Sequence, residues 1–171
     1  MAELQKLKRY EIAGAILNFA LACILHLVYD WSGKQFYTAL FSSVDESVTE
    51  HIKIFAVPYI FWAFIEIFCI DISFKQLATA KITGLYVLAI SIPLLFYTYT
   101  GILGKNYLFA DIMCGVLAII AAYSISYRLA VRCPFLKKYF GFAVLMFALY
   151  VIFTVYSTMI ALGRAVEQIK I

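Results

Sequence analysis

Five stretches of this chain, each about twenty residues or longer, are dominated by apolar side chains, and no other feature constrains the fold as much. A hydrocarbon core of ~30 Å requires roughly 20 apolar residues of a helix that crosses it. No water serves the backbone inside that core, so each segment has to satisfy its own N–H and C=O groups, as a helix does. The stretches fall at about residues 10–30, 44–74, 82–100, 107–128 and 139–162. They predict an all-α integral membrane bundle of five transmembrane helices, one domain over residues 1–171. Composition agrees, since 65% hydrophobic against 14% charged lies outside the soluble range.

The first run begins with charge, as a signal peptide does, but it is too long for one and no small-x-small site follows. It is expected to stay as a mature helix. Basic residues set the orientation. With the N-terminus cytoplasmic, that side carries Lys6, Lys8, Arg9, Lys75, Lys81, Arg128, Arg132, Lys137 and Lys138. The other side carries Lys34, Lys53, Lys105, Arg164 and Lys170. Nine against five predicts the N-terminus inside and the C-terminus outside. The basic residues are too dispersed for nucleic acid, so the expected partners are the bilayer and a second copy or larger membrane partner. Residues 32–42, with Phe36, Tyr37 and Phe41, read as a short interfacial segment between the first two spans. The four cysteines show no C-x-x-C spacing and read as buried thiols.

Charge gathers in FSSVDESVTEHIK, residues 41–53. Ser43 and Glu46 have capping-box spacing, which starts the second helix near Val44. At ~1.5 Å of rise per residue, three segments bring ionisable groups to one outer layer. They are His26, Asp30, Glu46, Glu50, His51 and Asp111. His26 and Asp30 share a face, as do Glu46 and Glu50, while His51 turns about 100° away. His26, Asp30, Glu50 and Asp111 form a donor set that zinc or another divalent ion accepts, with His51 either a further ligand or the candidate general base. Deeper lie Glu66 and Asn18. No cation is expected within a turn of Glu66, so its carboxyl is expected to be neutral through desolvation and to bond Asn18, Ser91 or Tyr150. It is the proton-coupling candidate. Asp71 and Lys75 are spaced for a surface pair.

No HEXXH, E-x-x-H, phosphate loop or G-x-S-x-G is present. HLVYDWSG (His26 to Gly33), LFSSVDESVTEHIK (Leu40 to Lys53), Pro58 and Glu66 resemble a family of small, uncharacterised multi-pass bacterial membrane proteins. That family's pattern is H-x-x-Y-x-W-S-G, then L-F-x-P-V-N-E-S-x-W-E-H-x-K, then a proline and a glutamate. Ser43, Asp45 and Thr49 depart from it, where the pattern has proline, asparagine and tryptophan. The resemblance covers about the first 70 residues. It implies a bacterial cell-membrane location and no activity.

Three functions remain open on sequence. The first is a small-molecule or ion carrier, or a transporter's binding subunit, with Pro58 and Pro93 as flexible points and Glu66 coupling a proton. The second is a membrane-embedded metal-dependent hydrolase working at the outer interface. The third is a structural or regulatory subunit whose polar layers only fix helix packing.

Overall fold

The computed structural model describes residues 2–169. Six α-helices follow in order: α1 (Ala2–Trp31), α2 (Phe36–Ala39), α3 (Val48–Cys69), α4 (Phe74–Leu103), α5 (Leu108–Arg132) and α6 (Phe140–Ile169). A 3₁₀ turn, Pro134–Tyr139, joins α5 to α6. All but α2 are long and apolar enough to cross a membrane, so the protein is a multi-pass membrane protein. The four-residue α2 is the short segment expected between the first two spans, and its Phe36 and Tyr37 are exposed.

The bundle is built around α4, which packs on α3, α5 and α6, while α1 lies across α3 and α5. Tyr59, Leu88, Ala118, Ala122, Tyr123 and Tyr150 belong to its main core. The outer surface is apolar as well, with Phe68, Ile102, Leu108 and Phe109 exposed. A water-soluble monomer would not leave so much apolar surface open, and hydrocarbon is the solvent that suits it. The cysteines divide rather than all being buried. Cys114 is buried and Cys133 half-buried, while Cys23 and Cys69 lie on the outer surface.

Hydropathy misplaces several helix ends, for a physical reason. Apolar runs mark where side chains meet hydrocarbon, whereas backbone hydrogen bonding continues through polar turns beyond it. α1 therefore begins at Ala2 rather than near residue 10, and α4 at Phe74 rather than near 82. α3 errs the other way, running only from Val48 to Cys69. Ser43 does not cap it, because its hydroxyl donates to the Asp45 carbonyl at 2.7 Å. The N-cap is Ser47, one turn later. At the other end Ile70 is extended and closes the helix, so Asp71 and Lys75 sit on opposite sides of a turn and make no pair. The Asp71 N–H donates instead to the Glu3 carboxylate at 3.1 Å, and Lys75 lies 6.0 Å from the Phe140 ring centre. Pro58 and Pro93 lie inside unbroken α3 and α4. Lys170, counted above for orientation, lies outside the described residues.

Two contacts fix the ends of the bundle. Lys6 donates to the Cys69 carbonyl at 2.7 Å, and Arg164 pairs with Asp45 at 2.9 Å. The N-terminal end and the 32–47 loop end are thus opposite, with the end of α6 beside the loop. Orientation is testable at Gln35, which is exposed, whereas Ser42 is fully buried. In a chain whose four native cysteines are replaced by alanine, Gln35→Cys is expected to react with an impermeant maleimide added outside intact cells. Labelling only after the cytoplasmic face is opened would reverse the orientation.

Candidate metal centre

The loop after α1 is tied down by two side chains. Ser42 inserts into the hydrogen-bond ladder of α1: its hydroxyl donates to the Leu25 carbonyl at 2.6 Å and accepts from the Tyr29 N–H at 2.8 Å. Those two groups are the i and i+4 partners of one helical turn, and His26 lies inside that turn. Side chains spliced into the ladder open and bend helices, so Ser42 helps set the direction of His26. The turn that starts the loop needs left-handed backbone at Gly33 (φ 73°) and Lys34 (φ 61°). Glycine adopts this conformation without a Cβ clash.

Lys53 is the second tie. Its ammonium donates to the Ala39 carbonyl at 2.6 Å, to Glu50 at 2.6 Å and to the Thr158 hydroxyl at 3.0 Å. All three of its donors are used, and they join α2, α3 and α6. Glu50 also accepts from the Val44 N–H at 2.9 Å, and both side chains are buried, at 0% and 2% exposure. The pair thus holds the loop from Ala39 to Val44 against the bundle. Its carboxylate is committed to that task and does not join the ligand set read from sequence.

With the loop so held, His26 on α1, Glu46 on the loop and His51 on α3 converge. Their ligand atoms all lie within 4.8 Å of one another, the one such His, Cys, Asp or Glu group among the described residues. Glu46 Oε1 is 3.6 Å from His26 Nε2, and Oε2 is 3.7 Å from His51 Nε2. Both distances are too long for hydrogen bonds. Ligands ~2.0–2.1 Å from a tetrahedral ion stand roughly 3.3 Å apart, so the group, spread within 4.8 Å, would have to close in on a metal to ligate it. The imidazole centroids are 5.3 Å apart and tilted by 45°, not stacked. His51 Nδ1 contacts the Ser47 carbonyl at 2.9 Å. A carbonyl only accepts, so Nδ1 carries the hydrogen there, and in the neutral ring the Nε2 lone pair then faces Glu46, as in many metal-bound histidines. His26 Nδ1 is buried without such a partner.

A cavity of about 220 Å³ adjoins this group. Glu46 and His51 line it on one side, Asp111 and Cys114 on another. The Asp111 carboxylate accepts the Tyr99 O–H, and Tyr99 in turn accepts the Tyr107 N–H at 3.3 Å. Phe55 forms part of the wall, with its ring packed against Gly115, where no Cβ would fit. Beyond Phe55 lies the apolar and tyrosine core of the bundle.

The outer layer expected from sequence is therefore only partly assembled at one point. His26, Glu46 and His51 meet, and Asp111 faces the adjoining cavity. Asp30 is exposed and outside the group, because the turn it begins carries it away from the bundle. Glu46 and Glu50 do not share a face, since Glu46 precedes the helix. The ligand set His26, Asp30, Glu50 and Asp111 is thus corrected to His26, Glu46 and His51. Of the two roles open to His51, ligand and base, the grouping favours ligand.

The deeper layer holds more than Glu66. Lys81 on α4 pairs with Glu66 on α3 and with Glu11 on α1 at 2.8 Å, all three buried. An isolated glutamate bonded to Asn18, Ser91 or Tyr150 is therefore corrected to one arm of a charged triad. Asn18 instead lies 3.5 Å from the Tyr123 hydroxyl. Lys81 reads from sequence as a boundary cation and Glu11 is not singled out there, whereas each lies about two turns inside its helix. The α1 spacing held a signal: Leu7, Glu11, Asn18 and Ala22 recur at helical intervals and form one buried seam.

A family model described as "Family of unknown function (DUF6512)" matches residues 1–167. No curated protein and no solved structure matches the chain.

Proposed function

The chain belongs to this family of unknown function, which brings no activity with it, and from its own residues we propose that it is a membrane-embedded metal-dependent hydrolase. The observation that carries the proposal is the meeting of His26, Glu46 and His51 within 4.8 Å beside a cavity. Two imidazoles and a carboxylate suit zinc, and three protein ligands leave a fourth position for water or substrate. A structural zinc site would be closed by a fourth side chain. A bound ion here would activate water at that position. Asp111, across the same cavity and oriented by Tyr99, is the carboxylate placed to take a proton. Exposed Phe36, Tyr37 and Phe41 on the neighbouring loop suit a substrate that arrives from the lipid interface.

Carriage of a solute through the bundle has less support, since Phe55 on Gly115 and the core behind them fill the inward route from this cavity. A purely structural role has the weaker fit, since the 3.6 and 3.7 Å spacings leave Glu46 within ion-pair range of both imidazoles but hydrogen-bonded to neither.

The test is elemental analysis of detergent-purified protein prepared without chelators. About one equivalent of zinc, or of another first-row divalent metal, is expected in the wild type. At least a tenfold loss of affinity is expected in His26→Ala and in His51→Ala, with the helical fold intact by circular dichroism. Acidification should also release the ion, because protons compete for imidazole and carboxylate ligands. Protein that neither retains metal nor binds added zinc would overturn the reading.

A further inference from the structure

The opposite half of the bundle holds a second polar centre that the metal reading does not use. Glu11, Glu66 and Lys81 come from α1, α3 and α4, and their side chains are exposed by 5%, 0% and 3%. Ser126 on α5 donates to Glu11 Oε1 at 3.2 Å. The other facing groups are Tyr10 and Asn18 on α1, Tyr59 and Trp62 on α3, and Tyr123 on α5. The Lys81 ammonium lies 5.8 Å and 5.3 Å from the ring centres of Tyr59 and Tyr123. Lys6, the next cation on α1, is exposed and committed to the Cys69 carbonyl. Among the described residues no other ion pair reaches the triad.

With all three groups ionised, the centre carries one negative charge more than positive. A net charge held in a dry helical interior is strongly disfavoured unless something neutralises it. Four buried acceptor oxygens here have no hydrogen-bond partner; Glu11 Oε2 and Glu66 Oε2 face the Lys81 ammonium, whereas Glu66 Oε1 and Asn18 Oδ1 face no cation. Buried acceptors of that kind call for a donor. We propose that Glu11, Glu66 and Lys81 form a one-proton centre: at neutral pH the two carboxyls share a single exchangeable proton, beside a charged Lys81. Adding that proton to one carboxylate gives a carboxyl, a carboxylate and an ammonium, which sum to zero. Placed on Glu66 Oε1, the same proton removes the lone unpartnered carboxylate oxygen of the centre. Like-charged carboxyls that share a site commonly divide a proton in this way. The centre is independent of the metal site and stands or falls separately.

Infrared spectroscopy of the purified protein at neutral pH decides it. One protonated-carboxyl C=O band from a buried group is expected in the wild type. Glu11→Gln and Glu66→Gln should each abolish it, because the remaining carboxylate then pairs with Lys81 and needs no proton. Lys81→Met should have the reverse effect and roughly double the band, since both carboxyls then need protons. The wild-type spectrum is sufficient even if a variant does not fold, for absence of the band overturns the proposal. So does a band that survives in both glutamine variants. Absence of the band together with a rise in melting temperature in sodium over choline buffer would assign the neutralising cation as sodium instead, which also overturns the shared proton.

Discussion

Lys53→Met is expected to destabilise the protein by about 3–5 kcal/mol, a large share of the stability of an ordinary domain. The side chains are of similar length, so packing changes little, whereas Glu50 is left charged, buried and unpaired. The Ala39 carbonyl and the Thr158 hydroxyl lose their donor as well. Removing both charges, as Glu50→Leu with Lys53→Met, should cost less than Lys53→Met alone, because the uncompensated carboxylate is gone. A double-mutant cycle followed by chemical denaturation in detergent reads the coupling directly. A double variant that costs the sum of the two single variants would mean that the ion pair contributes nothing of its own. The same substitution should weaken metal binding, although Lys53 touches none of His26, Glu46 and His51. Lys53 holds the loop that presents Glu46, and a ligand set that is less preorganised binds less tightly.

That coupling explains why FSSVDESVTEHIK is dense in charge, and shows which parts of the stretch were legible. The residue types were readable: Glu50 and Lys53 form the buried pair, and Glu46 and His51 stand in the candidate metal group. Their assignment depended on where α3 starts, which periodicity alone does not settle. Ser43–Glu46 and Ser47–Glu50 both have capping-box spacing, and the helix starts at the second. A shift of four residues takes Glu46 off the helix and into reach of His26 and His51. It also leaves Glu50 facing inward, where it accepts from Val44 and Lys53. His51 was correctly set about 100° from Glu50, and that rotation is what separates the buried ion pair from the candidate metal ligands.

The number and order of spans were legible because hydrocarbon imposes a length and a composition on each one. The depth of charged residues was not, because a charge near the edge of an apolar run reads as a boundary whether or not the helix continues past it. Lys81 was counted among the topological cations, yet α4 begins seven residues earlier and carries it into the interior. Only the tertiary arrangement shows that two carboxylates from other helices receive it.

Gly84 carries the other large expected effect, because α4 packs there against α3 and α5 with no room for a side chain. A Cβ there would meet the Tyr59 hydroxyl and stand 3.0 Å from the Ala122 carbonyl oxygen and 3.1 Å from the Ser126 Cβ. Tyr59 can give way only by leaving the Lys81 carbonyl, to which it donates at 3.2 Å. The Ala122 oxygen is backbone and moves only with α5. Small residues at such crossings let helix backbones approach, and in lipid that packing largely replaces the hydrophobic drive available in water. Gly84→Ala is therefore expected to cost about 1–3 kcal/mol, and Gly84→Leu more. Gly101 lies on the same helix with nothing within 4 Å of its Cβ direction. There the alanine substitution should be neutral or stabilise by up to about 1 kcal/mol through helix propensity. Opposite signs at two glycines of one helix, read by thermal unfolding in the same detergent, would locate the tight seam of the bundle at Gly84. If Gly84→Ala proved as benign as Gly101→Ala, α4 and α5 would be free to separate, and neither the Lys81 centre nor the core above it would be held by close backbone contact.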